Sequence, residues 1–130
     1  MKILLAEDDY ATRKFMVNFL SEYGECDVTV DGMEAVDAFL MALEDNEPYD
    51  LVCLDIMMPV MDGYQALMGI RNLEKQKNIP KEEEVKVIMT TALNEEQNVK
   101  MAFDLGCTIY SGKPIDQTRF EQAMKKLNLI

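Results

Sequence analysis

Five short apolar runs alternate with five longer stretches of helical periodicity, and that alternation limits what this 130-residue chain can fold into more than any other feature. The runs are Ile3–Ala6, the weak Val28–Val30, Leu51–Leu54, Val85–Thr90 and Thr108–Tyr110. Leu51-Val52-Cys53-Leu54 is apolar without interruption, the pattern of a strand covered on both faces of a parallel sheet. Between the runs, apolar residues recur at helical spacing. They are Phe15, Met16, Phe19 and Leu20 in the first helix, with Gly24 as its stop, and Val36, Phe39, Leu40 and Leu43 in the second, closed by Asn46-Glu47-Pro48. Ala66, Leu67, Ile70 and Leu73 mark the third. Asn94-Glu95-Glu96-Gln97 reads as a capping box opening a fourth helix through Val99, Ala102 and Phe103 to Gly106, and Phe120, Ala123, Met124 and Leu127 mark the fifth. The charged stretch Glu74–Glu84, which holds Pro80, reads as a flexible loop. Right-handed strand-helix-strand crossovers then predict an α/β protein, a doubly wound five-stranded parallel sheet with five helices on its two faces.

The length suits one domain over residues 1–130. The 24 acidic side chains against 13 basic ones give a net charge of -11, which repels nucleic acid and anionic membrane and favours proteins or cations as partners. There is no histidine, which excludes Ser-His and Cys-His catalysis, His-ligated zinc and a phosphohistidine on this chain. Cys26, Cys53 and Cys107 are odd in number and lack a C-x-x-C spacing, as expected of small hydrophobes in a reducing cytosol. Glu7-Asp8-Asp9 interrupts the apolar start before a signal-peptide core is complete, and no window has the length of a membrane span. The expected location is cytoplasmic.

In a doubly wound sheet, sites form outside the carboxyl ends of the strands, where strand order reverses. The residues there are Glu7, Asp8 and Asp9 after strand one, Asp55 after strand three, Thr91 after strand four, and Lys113-Pro114 shortly after strand five. With strand order 2-1-3-4-5, Asp55 faces Glu7 and Asp8, and three carboxylates share one pocket. Like charges at that range raise one another's pKa or demand a cation, and all-oxygen donors suit Mg²⁺. With the cation in place, Asp55 is a candidate nucleophile toward a phosphoryl group, while Thr91 and Lys113 are placed to bond the transferring oxygens. Each feature alone has a plainer reading: helix capping for the acidic run, a turn for Asp55 with Pro59 and Asp62-Gly63, a strand end for Thr91, a surface charge for Lys113. Their joint placement at four strand ends favours a site. The stretch Gly106 to Pro114 is not a phosphate-binding loop, because one residue too many separates its glycines and Pro114 stands where Ser or Thr would hold Mg²⁺.

Glu7-Asp8, Asp55 with Pro59 and Gly63, Thr91-Ala92, Tyr110 and Lys113-Pro114 together resemble the receiver domains of response regulators, the CheY-like members of the flavodoxin-like fold, over essentially the whole chain. The resemblance implies a two-component phosphorelay switch in which Asp55 is the phospho-acceptor. Asp8, Asp55 and the Met57 carbonyl would bind Mg²⁺ directly, and Glu7 through water. Thr91, Ala92 and Lys113 would serve the phosphoryl group, Thr91 and Tyr110 would form the switch, and Lys113-Pro114 would be cis. It further implies a histidine kinase or phosphotransfer protein as donor, and an effector protein docking on the face of helix four, strand five and helix five. A phosphorylation-dependent dimer is allowed. Such a protein is a switch rather than an enzyme on other substrates. Met57 and Leu93, both apolar, cannot orient an attacking water, so the phosphate should be long-lived. A Mg²⁺-dependent phosphatase is disfavoured because Ile56-Met57-Met58 breaks the D-x-D-x-T pattern, and a never-phosphorylated adaptor because it would have no reason to cluster carboxylates. The chain stops just after the last helix, and the expectation is a stand-alone receiver, with one domain of a longer polypeptide as the alternative.

Overall fold

The computed structural model describes residues 1–92 and 96–130, apart from the side chains of 96–98. The capping pattern at Asn94–Gln97 and the position of Leu93 lie outside what is described. Strands β1 (Lys2–Ala6), β2 (Glu25–Thr29), β3 (Leu51–Asp55), β4 (Lys86–Thr91) and β5 (Ile109–Gly112) alternate with helices α1 (Tyr10–Leu20), α2 (Gly32–Glu44), α3 (Gly63–Gln76), α4 (Glu96–Asp104) and α5 (Gln117–Lys126). All pairings are parallel and the order is β2-β1-β3-β4-β5, as expected.

Strand periodicity sorts the core into two layers. Leu4, Ala6, Val52, Leu54, Val87 and Met89 pack on one face with Phe39 of α2 and Leu67 and Ile70 of α3. The alternate residues Ile3, Leu5, Leu51, Cys53 and Ile88 pack on the other with Met16, Phe19 and Leu20 of α1 and Phe120 and Met124 of α5. Edge contacts between the Phe19 and Phe120 rings, 5.6 Å between centroids, lock α1 to α5. Burying a side chain of this size contributes roughly 2–3 kcal/mol, and the continuous apolar runs supply both layers. Asp9, Asp31, Asp62 and Asp116 cap α1, α2, α3 and α5, each accepting a backbone N–H from the first turn. Four carboxylates of the acidic excess are thereby explained without a ligand.

Several local expectations are corrected. Helix α1 ends at Leu20 with Ser21 as cap, so Gly24 is not its stop; a Cβ at Gly24 would lie 1.9 Å from the Met1 carbonyl oxygen, and the glycine serves that close approach. Strand β2 starts at Glu25, and Val30 lies beyond it. In α2 the buried face is Ala35, Phe39 and Ala42, with Val36, Leu40 and Leu43 only half-buried at its margin. Phe103 of α4 is exposed, whereas Ala102 is buried. Strand β5 runs on from Tyr110 to Gly112.

The largest correction concerns Glu74–Glu84. Helix α3 continues through Gln76, Lys81–Glu83 form a 3₁₀ turn, and Glu74 is fully buried. Its Oε1 accepts from Arg71 Nη1 at 2.7 Å and its Oε2 from the Val85 N–H at 2.7 Å. Arg71 donates onward to the Val85 carbonyl at 3.0 Å and, through Nη2, to the Gly106 carbonyl at 2.7 Å. Gly106 has φ +100°, in the left-handed region, and a Cβ there would lie 3.1 Å from Arg71 Nε. This clasp joins α3 to the start of β4 and to the turn after α4, at the end of the sheet away from the acidic strand ends.

Candidate functional site

Register brings the carboxylates together. Ala6 pairs with Leu54, so Glu7 and Asp55 come next on adjoining strands. Glu7 continues the parity of Ile3 and Leu5, and Asp55 that of Leu51 and Cys53, so both leave the sheet toward the layer of α1 and α5. The backbone ladder runs on past the strand ends: the Glu7 N–H donates to the Thr29 carbonyl at 3.1 Å, Ile56 to Thr90 at 3.0 Å and Lys113 to Thr91 at 2.8 Å. The functional side chains therefore sit on backbone as fixed as the sheet. Asp55 and Thr91 are the last residues of β3 and β4 rather than the first after them.

Glu7 is 0% and Asp55 3% exposed. Lys113 Nζ lies 2.8 Å from Glu7 Oε1 and 3.3 Å from Asp55 Oδ1, so one ammonium serves two buried carboxylates. Burial, and then the charge of Glu7, push the Asp55 carboxyl up to about 7, against the opposing pull of Lys113. Burial lowers the Lys113 ammonium, but Glu7 and Asp55 more than offset this and hold it above the usual lysine value. Glu7 Oε2 accepts from the Asp9 N–H at 3.1 Å, and Oε1 has the Lys113 ammonium 2.8 Å away. Asp8 is exposed at the mouth, and one carboxylate oxygen each from Glu7, Asp8 and Asp55 lies within 4.8 Å of the others. Three clustered carboxylates against one ammonium, and an all-oxygen set, fit a hard divalent cation such as Mg²⁺. Asp9 takes the plainer role, since its carboxylate caps α1 through Thr12.

Thr91 is fully buried at the end of β4, and its side chain hydrogen-bonds that of half-buried Tyr110, which packs against the α2/α3 layer. The two residues expected to switch are in contact. The Lys113–Pro114 peptide bond is cis. Ala92 is exposed beside Thr91. Met57 is also exposed, on the loop from Ile56 to Asp62 that follows Asp55. The loop's return depends on Gly63, whose N–H donates to the Ile56 carbonyl at 2.9 Å and where a Cβ would lie 2.4 Å from the Asp55 carbonyl oxygen.

Two contributors escaped the sequence reading. Arg13 Nη1 donates to the Glu7 carbonyl at 3.0 Å and braces the acidic turn; its position one helical turn beyond Asp9 was the available signal. Val60 has φ +67°, in the left-handed region, and no sequence signal marks it, since a valine there runs against the rule.

The chain matches the response regulator receiver domain family over residues 3–125. It is 31% identical over 134 residues to probable histidine kinase 2 of Oryza sativa subsp. indica, covering 95% of this chain but only 12% of that protein. Among solved structures, the complex of CheX and CheY with BeF₃ and Mg²⁺ from Borrelia burgdorferi is similar at 30% identity and TM-score 0.80, over 98% of this chain and 89% of that one. The complex of the Saccharomyces cerevisiae phosphotransfer protein Ypd1 with the Ssk1 receiver domain shares the fold at 23% identity and TM-score 0.82, over 97% and 87%. With the sheet order, the acidic cluster and the match over nearly all its length in agreement, this chain belongs to the response regulator receiver domain family.

Proposed function

We propose that the chain accepts a phosphoryl group on Asp55 from a histidine kinase or phosphotransfer protein, with Mg²⁺ held by Asp8, Asp55 and the Met57 carbonyl and, through water, by Glu7. The observation that carries this reading is the pairing of one ammonium, Lys113 Nζ, with two buried carboxylates, 2.8 Å from Glu7 and 3.3 Å from Asp55. A bound cation supplies charge stabilisation to the transferring oxygens. Lys113 orients the Asp55 carboxylate and keeps its second oxygen free as the nucleophile. The phosphorus–donor nitrogen bond breaks as the Asp55 oxygen–phosphorus bond forms, and the donor imidazole leaves neutral or takes a proton from solvent. Thr91, turning from Tyr110 toward the new phosphoryl oxygens, passes the change to β5. Beside Tyr110 lies an open groove of about 750 Å³, lined also by Lys113, Asp116 and Arg119, which is the proposed effector face of α4, β5 and α5. That two relatives were solved with a partner protein, CheX in one case and Ypd1 in the other, supports this mode of action. On this reading the chain acts on no other substrate and works in the cytoplasm; no described helix is long and apolar enough to cross a membrane.

Incubation with acetyl phosphate and Mg²⁺, followed by intact mass, tests the proposal. One added phosphate on wild type and none on Asp55→Ala is expected. Phosphate on both would overturn the assignment of Asp55, and turnover of a soluble phosphoester would favour a phosphatase.

A further inference from the structure

Charge is divided unevenly between the two edges of the sheet. From Phe15 to Ile70 the chain holds half of its 24 acidic side chains and none of its 13 basic ones. That segment supplies the edge strand β2, then α2, β3 and the first half of α3. Helix α2 buries Ala35, Phe39 and Ala42 and turns Met33, Asp37 and Met41 outward, at spacings of four residues that set them in one stripe. Glu34 and Glu44 are exposed beside it. Met33 is 49% and Met41 63% exposed. Met68, also 49% exposed, stands on α3 next to Gly69, where a Cβ would lie 3.1 Å from Val36 Cγ2 of α2. The close approach of the two helices makes one outer surface of them.

Contacts among the described residues do not account for this face. Negative charge at a helix C-terminus opposes the helix dipole, yet α2 ends in Glu44 and Asp45 with no basic residue in its last turn. No ammonium or guanidinium pairs with Glu34, Asp37 or Glu44 among the described residues. Methionine, with its flexible thioether, suits an apolar surface that receives a partner. The charge decides which partner: nucleic acid, anionic membrane and the same face of a second copy are all repelled. We propose that the outer face of α2, with Met68 of α3, docks a basic amphipathic helix of another protein. The apolar side of that helix lies on the methionines, and its lysines or arginines meet Glu34, Asp37 and Glu44. The groove beside Tyr110 belongs to the opposite, β5 edge of the sheet, so a tether at α2 leaves that groove open.

Fluorescence anisotropy on the full chain tests this, with a labelled helical peptide of leucine and lysine alone, its leucines on one face. A scrambled peptide of the same composition measures attraction by charge without the apolar stripe. The amphipathic peptide should bind at least about fivefold more tightly than the scrambled one. Met33→Gln with Met41→Gln leaves the net charge untouched and should weaken binding about tenfold. Glu34→Gln with Asp37→Asn should weaken it about as much and flatten its salt dependence. Glu82→Gln with Glu83→Gln removes the same charge from the 3₁₀ turn after α3 and should change the affinity by less than about twofold. All six side chains are exposed, so each variant should keep its Tm within about 2 °C of wild type. Equal binding of the two peptides or none by either, no loss in the methionine variant, or equal loss in the Glu82 and Glu83 control overturns the proposal. So does a wild-type dimer in sedimentation that the methionine substitutions dissolve, since a second copy would then be the occupant.

Discussion

Replacing Asp55 with asparagine should make the metal-free protein more stable, although Asp55 is the centre of the site. Burial and the neighbouring Glu7 raise the Asp55 carboxyl from 3.8 to about 7. A raised carboxyl means that the folded state holds a proton which the unfolded state has released, across the window from about pH 4 to pH 7. The contribution of Asp55 to stability is therefore greatest below that window, falls as the pH climbs through it, and levels off above about 7. At about 1.4 kcal/mol per pH unit, three units set a ceiling of about 4 kcal/mol on the cost of ionising Asp55 at pH 8. Asparagine escapes this cost but buries an amide of its own, which leaves a net gain of about 2 kcal/mol. For a chain of this size that is a Tm rise of roughly 5–10 °C. Thermal denaturation in EDTA should show the full gap at pH 8 and little of it at pH 4. Adding Mg²⁺ at ten times its Kd should then restore about 1.4 kcal/mol to wild type and much less to the variant. An asparagine variant no more stable than wild type at pH 8, or equally favoured at both pH values, would refute the account of two buried carboxylates sharing one ammonium.

Asp8→Ala should abolish the stabilisation by Mg²⁺ in the same thermal assay while changing the metal-free Tm by little, because the side chain is exposed and bonds no described neighbour through its carboxylate. Gly63→Ala should cost about 3 kcal/mol in urea denaturation, since the new Cβ would meet the Asp55 backbone oxygen at 2.4 Å and the loop must shift. Glu74→Ala leaves the Val85 N–H and the Arg71 guanidinium without their partner in a buried setting, and a loss of about 3–4 kcal/mol is expected by the same measurement. The phosphate on Asp55 should decay slowly, and Met57→Asn should shorten its half-life by supplying a group that orients water; unchanged decay of the labelled variant would remove Met57 from the account.

The fold was legible because both sources of register are written in the chain. Uninterrupted apolar runs identify strands covered on two faces, and helical spacing identifies the stretches between them, whereas the caps at Asp31, Asp62 and Asp116 were not read from the sequence. The site was legible for a related reason: Glu7, Asp8, Asp55, Thr91 and Lys113 stand where runs end, and strand ends are where a doubly wound sheet gathers its side chains. Glu74 shows what remained hidden. A lone glutamate in a charged stretch reads as solvated, and only the tertiary pairing with Arg71 and Val85 pulls it inside. Val60 was hidden for the opposite reason, because a γ-turn imposed by distant hydrogen bonds at Gly32 and Gly63 overrides local preference. Phe103 followed the helical rhythm without being buried. A one-dimensional pattern shows which residues share a face, but not where that face meets its neighbour.

The continuation of the sheet ladder beyond Ala6, Asp55 and Gly112 has a consequence for quality control. Glu7 and Lys113 meet Asp55 only when the three inner strands and the far edge strand are all in register, and a slip of one residue would turn each of these side chains to the opposite layer. Chemical competence is thus an all-or-nothing property of assembly. On the phospho-acceptor reading proposed above, an incompletely folded copy has no reactive carboxylate to offer, so it stays silent instead of sending a false message.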